Sequence, residues 1–171
     1  MKNIYLTGFM GSGKTSAGRL LAGKLGAPFT DTDELVRKLS GLSPREFIKK
    51  RGLKNWRKAE QAAFLCAAEP AGRVVSLGGG IMPAGKLKPV FKKTGITVYL
   101  KCGEAELLRR LAGSLKTRPL LGGSVKSAAV VVARLMKARR PFYEKADHIV
   151  DVTGLSPAGA AAKIKELLRR K

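Results

Sequence analysis

Short apolar runs alternate with stretches of helical periodicity along the whole chain. Five runs, NIYLT (3–7), PFTD (28–31), RVVSL (73–77), TVYLK (97–101) and HIVDV (148–152), are too short for helices. Several are rich in β-branched or aromatic residues and most stop at Gly or Asp, which predicts strands. Between them, GKTSAGRLLAGKLG (13–26) sets Ala17, Leu20, Leu21 and Leu25 on one helical face and ends at Gly26. SPREFIKKRG (43–52) opens with a serine N-cap and a first-turn proline and has Gly52 past its end; SPAGAAAKIKELLRR (156–170) repeats the Ser-Pro start. This alternation predicts an α/β domain built on a mainly parallel sheet. Two regions exceed a minimal strand–helix repeat. Residues 33–69 are almost all helical pattern and read as an insertion, while AGSLKTRPLLGG (112–123) is polar, glycine-bracketed and loop-like.

The 171 residues suit one domain over 1–171 with a sizeable core. No apolar run approaches the ~20 residues of a membrane span, and MKNIYLTGFM has neither the apolar length nor the cleavage site of a signal peptide. Cys66 and Cys102 lack metal-ligand spacing and read as reduced thiols of a cytoplasmic protein. A single histidine, His148, excludes a histidine-rich metal site. Charge is the outlying property: 34 basic residues against 12 acidic give a net +22. This favours anionic partners without choosing among them. With 6% aromatics and no nucleic-acid motif, nucleic acid is not a required partner, although weak electrostatic binding is compatible with this charge.

The chemistry begins at Gly8. GFMGSGKT (8–15) fits G-x-x-x-x-G-K-[ST], and a predicted strand precedes it while a predicted helix follows. Backbone amides of such a loop wrap phosphates at a helix N-terminus, where the dipole favours negative charge. The motif assigns Gly11, Ser12, Gly13, Lys14, Thr15 and Ser16 to the triphosphate of ATP or GTP, with Lys14 reaching the β- and γ-phosphates and Thr15 binding Mg²⁺. VVSLGGG ends in glycines rather than in the metal-side aspartate usual for such proteins. FTDTD offers Asp31 and Asp33 instead, at a strand end where open α/β sheets bind ligands, although both also suit the cap of the helix that follows.

Taken in order, GFMGSGKT, DTD, WRKAE, GGG, TRPLL and RRPFYEKAD resemble the shikimate kinase family over nearly the full length. The resemblance implies a P-loop kinase fold: a five-stranded parallel sheet of order 2-3-1-4-5 with helices on both faces. Residues 33–61 would be the substrate-binding insertion and 112–124 the lid. It also implies a monomeric enzyme that transfers the γ-phosphoryl group of ATP to the 3-hydroxyl of shikimate, with Mg²⁺, on the way to aromatic amino acids. By the same resemblance Asp33 holds the reacting hydroxyl, more as an orienting group than as an obligatory base. Arg57 and Arg139 bind the carboxylate, Gly78, Gly79 and Gly80 bring backbone close to the ring, and Asp31 reaches Mg²⁺ through water. Arg118 arrives with the lid to neutralise phosphate charge, and Arg110, with Arg109 as the other candidate, meets the adenine.

Residue chemistry agrees with this assignment. Guanidinium forks match a planar carboxylate, and successive glycines clear side chains from a strand end. Glu60 is spaced i, i+3 from Arg57, as either a positioning partner or an ordinary surface pair; Tyr143 reads as packing and His148 as structural. The chain departs from the family pattern at Leu53, where a glutamate is usual, and at Trp56, which stands in the place of a phenylalanine. A gluconate or nucleotide kinase, or a nucleic-acid-binding protein on this fold, remain the competing readings.

Overall fold

A computed structural model describes residues 1–81, 85–113 and 125–169. The chain runs β1 (Asn3–Thr7), α1 (Lys14–Leu25), β2 (Phe29–Asp31), α2 (Thr32–Ser40), α3 (Pro44–Ala68), β3 (Val74–Ser76), α4 (Lys88–Thr94), β4 (Gly95–Lys101), α5 (Glu104–Leu111), α6 (Val125–Tyr143), β5 (His148–Asp151) and α7 (Pro157–Arg169). The strands form one parallel sheet of order β2-β3-β1-β4-β5, parallel as the strand–helix alternation predicts and in the order the family resemblance implies.

Every residue of β1 is buried, which suits a central strand covered on both faces. Its side chains alternate between two cores. Ile4 and Leu6 enter the larger one, with Leu21 of α1, Val98 and Leu100 of β4 and Ile164 of α7. Tyr5 enters the other, where Phe64 of α3 and Phe91 of α4 meet it edge-to-face at 5.5 and 5.2 Å. β4 begins two residues before its predicted start, whereas the predicted β2, β3 and β5 extend one residue beyond the observed strands. Their flanks still join the ladder: Val74 N donates to Pro28 O and Val152 N to Lys101 O.

One helical face differs from expectation. Leu20 is 43% exposed, while α1 buries Lys14, Ala17, Gly18, Leu21 and Ala22. The reason is close approach. A Cβ on Gly18 would lie 2.7 Å from the Phe29 ring and 3.0 Å from Leu6, so α1 settles on its small residues and rotates Leu20 outward.

The insertion holds itself together with a small core of Val36, Phe47, Trp56 and Ala63. Asp31 caps α2, accepting from Asp33 N and Glu34 N, and Ser43 and Glu46 close a reciprocal capping box on α3. Gly52 breaks α3 at φ 79°, a conformation that costs other residues strain. The break ends the capped N-terminal turns and lets the long C-terminal part carry Trp56, Arg57 and Glu60 toward the strand ends.

Candidate active site

The loop between β1 and α1 turns through three glycines with positive φ: Gly8 (140°), Gly11 (83°) and Gly13 (89°). At Gly8 a side chain is also excluded by contact, since its Cβ would lie 2.7 Å from Leu100 O. Gly13 is the N-cap of α1, and the helical ladder starts with Ala17 N donating to Gly13 O. The amides of the first turn therefore border the loop's concavity. Lys14 Nζ donates to Gly8 O (2.8 Å) and Phe9 O (2.9 Å), which folds its ammonium over the loop. Ser12 is buried and Ser16 is exposed at the first turn of α1.

Beside this loop is a cluster of hard oxygen donors. Thr15 Oγ1 donates to Asp31 Oδ2 at 2.6 Å, and Ser76 Oγ lies 3.5 Å from Thr15 Oγ1. Asp31 and Ser76 are partners in the β2–β3 ladder, so the sheet register fixes their approach. Asp31 divides its two carboxylate oxygens: one caps α2, as the sequence allows, and the other meets Thr15. This donor set fits Mg²⁺, which takes few protein oxygens and completes its shell with water and phosphate. Among the described residues no group of three or more His, Cys, Asp or Glu forms a self-sufficient cage.

A cavity of about 510 Å³ adjoins the loop and is lined by Met10 of the loop together with Asp33, Trp56, Arg57, Glu60, Gly79, Gly80 and Arg139. The glycines after β3 make it possible. A Cβ on Gly78 would lie 2.5 Å from both Asp33 Oδ1 and Glu60 Oε1, and one on Gly80 would collide with the Arg57 guanidinium. Arg57 is ion-paired to Glu60, which is only 2% exposed. Arg139, also buried, donates to Gly79 O at 3.0 Å and lies over the Phe9 ring.

Burial is the main force on the acids. It pushes Asp33 up to about 7, with Glu60 and Asp31 adding repulsion and Lys14 and Arg57 opposing it. Asp33 Oδ1 is buried with no hydrogen-bond partner among the described residues. Burial likewise raises Glu60, against the attraction of Arg57.

Arg110 and Arg109 separate clearly. Arg110 donates to Val152 O and Leu155 O and lies 3.5 Å from Ser12 O, joining the phosphate loop to the turn after β5. Arg109 is 74% exposed in its side chain and engages only Glu106 among the described residues. Arg118 and residues 114–124 of the expected lid lie outside the described residues.

Three contributions were not read from the sequence. The Tyr143 hydroxyl donates to Gly79 O at 2.6 Å, so this residue, one helical turn from Arg139, fixes the same carbonyl while its ring stacks on Tyr99. Ser76 belongs to the oxygen cluster, and the depth of Glu60 makes its pair with Arg57 a wall of the cavity rather than a surface contact. The Arg139–Tyr143 spacing was visible in the sequence, but their common acceptor was not. Replacing Gly80 with Ala is expected to leave the melting temperature within a few degrees, because Arg57 can swing away. If Arg57 holds an anionic acceptor in this cavity, its displacement should weaken that binding about 10- to 100-fold, measured as KM for the acceptor.

A phosphate-cradling loop at the strand ends, adjoining an arginine- and carboxylate-lined pocket, defines a P-loop kinase acting on a small acceptor. A family model described as "Shikimate kinase" matches residues 10–169. The chain is 37% identical over 164 residues to the shikimate kinase of Thermodesulfovibrio yellowstonii, covering 96% of this chain and 93% of that one. Among solved structures, shikimate kinase from Acinetobacter baumannii in complex with shikimate superposes with a TM-score of 0.92 at 30% identity, covering 99% of this chain and 94% of that one. The Aquifex aeolicus enzyme gives 0.83 at 34% identity, covering 98% and 96%. This chain belongs to the shikimate kinase family.

Proposed function

We propose that the chain is a single-domain enzyme that transfers the γ-phosphoryl group of ATP to the 3-hydroxyl of shikimate. The observation that carries this reading is the convergence of Asp33, Arg57 and Arg139 on the Gly78–Gly80 turn, in a cavity to whose wall the phosphate loop contributes Met10.

The loop amides and Lys14 hold the β- and γ-phosphates. Thr15, and Asp31 through water, would hold Mg²⁺, which supplies charge neutralisation at the phosphate oxygens when bound. Arg57, kept in place by Glu60, and Arg139, kept in place by Gly79 O, offer two guanidinium forks to the carboxylate of shikimate. That fixes the acid end and sets the 3-hydroxyl against Asp33. Phosphoryl transfer has a loose transition state, so aligning this hydroxyl and neutralising charge contribute more than a strong base. An Asp33 poised near 7 can accept the hydroxyl's hydrogen bond and take up its proton as the bond to phosphorus forms. Arg110, packed against the loop, is the better placed of the two adenine-side candidates. Residues 33–61 supply the acceptor site, while the lid roles of 112–124 and Arg118 rest on the family resemblance.

The described residues include no helix long and apolar enough to cross a membrane. A cytoplasmic location is supported by the unpaired Cys66 and Cys102.

An assay of ADP release with shikimate, gluconate and nucleoside monophosphates tests the acceptor. Turnover with shikimate alone is expected; turnover only with a monophosphate would overturn it. Within that assay, Arg57→Ala should raise KM for shikimate about 10- to 100-fold with a smaller change in kcat, because a charged hydrogen-bonded pair is worth about 1.5–3 kcal/mol. An unchanged KM would remove Arg57 from the carboxylate clamp.

A further inference from the structure

The acceptor cavity carries more positive charge than its carboxylate clamp uses. Besides Arg57 and Arg139, Arg37 and Arg45 line its wall. Four guanidiniums among the described lining residues thus face two carboxylates, Asp33 and Glu60, of which Glu60 is engaged by Arg57.

The four cations are graded by depth. Arg139 is 8% exposed and the Arg57 side chain 29%, whereas Arg37 and Arg45 are both exposed. Arg37 is four residues after Asp33 on α2, so the two share a helical face one turn apart, with Asp33 at the strand end and Arg37 farther along the helix. Arg45 sits in the first turn of α3, where the partial positive charge of a helix N-terminus opposes a cation. Both arginines are exposed where the two helices of the insertion border the cavity, outside the buried pair of guanidiniums.

We propose that Arg37 and Arg45 form an outer capture pair, which draws an anionic acceptor into the cavity and hands it to Arg57 and Arg139. The proposal rests on the acceptor reading above and extends it to residues outside the clamp. Like charges lining one side of a concave, partly desolvated wall focus the field and raise the encounter rate of an oppositely charged ligand. The pair accordingly acts on how quickly shikimate arrives, while the inner clamp governs how long it stays. It also gives a local use to part of the net +22 charge.

Trp56, the chain's only tryptophan, lines the same cavity and is a built-in reporter of its occupancy. The test is stopped-flow tryptophan fluorescence with shikimate on the full chain, together with kcat/KM for shikimate over a salt series. The Arg37→Gln/Arg45→Gln variant is expected to bind about three- to tenfold more slowly at about 0.02 M ionic strength. The difference should close near 0.5 M, where screening acts within about 4 Å, and dissociation should change less than twofold.

A Lys92→Gln/Lys93→Gln variant removes the same charge from exposed positions of α4 outside the cavity wall and should keep the wild-type rate. Wild-type association and salt dependence in the arginine variant would overturn the proposal. So would equal slowing in the lysine variant, which would show overall charge at work, or an effect confined to dissociation. If fluorescence is silent, kcat/KM and its salt slope decide in the same way. Failure of the wild-type protein to turn over shikimate is a different result, which would sink the acceptor reading itself.

Discussion

Lys14→Ala is expected to lower kcat by about 10³-fold while the protein still folds. The ammonium is folded over the phosphate loop by Gly8 O and Phe9 O, on a backbone whose positive-φ glycines hold the loop open whether or not the lysine is present. Removing one preorganised donor from a developing phosphate charge costs on the order of 10²–10³ in rate, and a full positive charge lies at the upper end. The two lost hydrogen bonds together cost about 1–3 kcal/mol of stability, a fall in melting temperature of several degrees. Lys14 also lowers the proton affinity of Asp33, so its loss should leave Asp33 protonated to still higher pH. Steady-state ADP release and a thermal melt test these expectations together; a variant within tenfold of wild-type kcat would remove Lys14 from the transition state.

Asp33→Asn is expected to lower turnover by about 10²–10⁴-fold, and to stabilise the protein at alkaline pH. Both follow from one carboxylate. Its proton affinity in the folded chain is raised from 3.8 to about 7, burial being the largest cause and repulsion from Glu60 and Asp31 following. A raised value means that folding favours the protonated acid. The contribution to stability is fully present below about pH 4 and is lost progressively until the pH passes about 7. Asparagine carries no charge to bury, so the variant should match the wild-type melting temperature near pH 4 and exceed it by roughly 3–6 °C at pH 8, allowing for the coupling among these groups. In the wild-type enzyme kcat/KM for shikimate should rise with pH through about 7 as the carboxylate ionises, a limb the variant should lose. Equal melting temperatures at pH 8, or an unaltered pH profile, would contradict this account of Asp33.

What the sequence disclosed and what it hid divide along physical lines. The phosphate loop was legible because its requirements are local: glycines where the backbone turns left-handed, a lysine and a hydroxyl at the start of a helix. The strands were legible because a covered parallel sheet needs short apolar runs, and the insertion because 33–69 was too long and too helical for a crossover. Sheet order came from family resemblance, since nothing in an apolar run names its neighbour. Leu20 was misplaced because α1 chose its buried face by the approach of Gly18 to Phe29 and Leu6, a contact made across the fold. The depth of Glu60 and the hydroxyl bond of Tyr143 were hidden for the same reason: each depends on backbone of the 78–80 turn, contributed by another part of the chain. Asp31 shows an intermediate case. Its cap was foreseeable from three residues of sequence, whereas its bond to Thr15 needed the sheet to bring β2 beside the phosphate loop.

The most direct measurement is a crystal structure with ADP, Mg²⁺ and shikimate bound. The shikimate carboxylate is expected within hydrogen-bond reach of both Arg57 and Arg139, the 3-hydroxyl on Asp33, and the ADP phosphates in the loop of residues 8–15. A bound shikimate whose carboxylate faces the loop, or whose 3-hydroxyl lies away from Asp33, would contradict the proposed function.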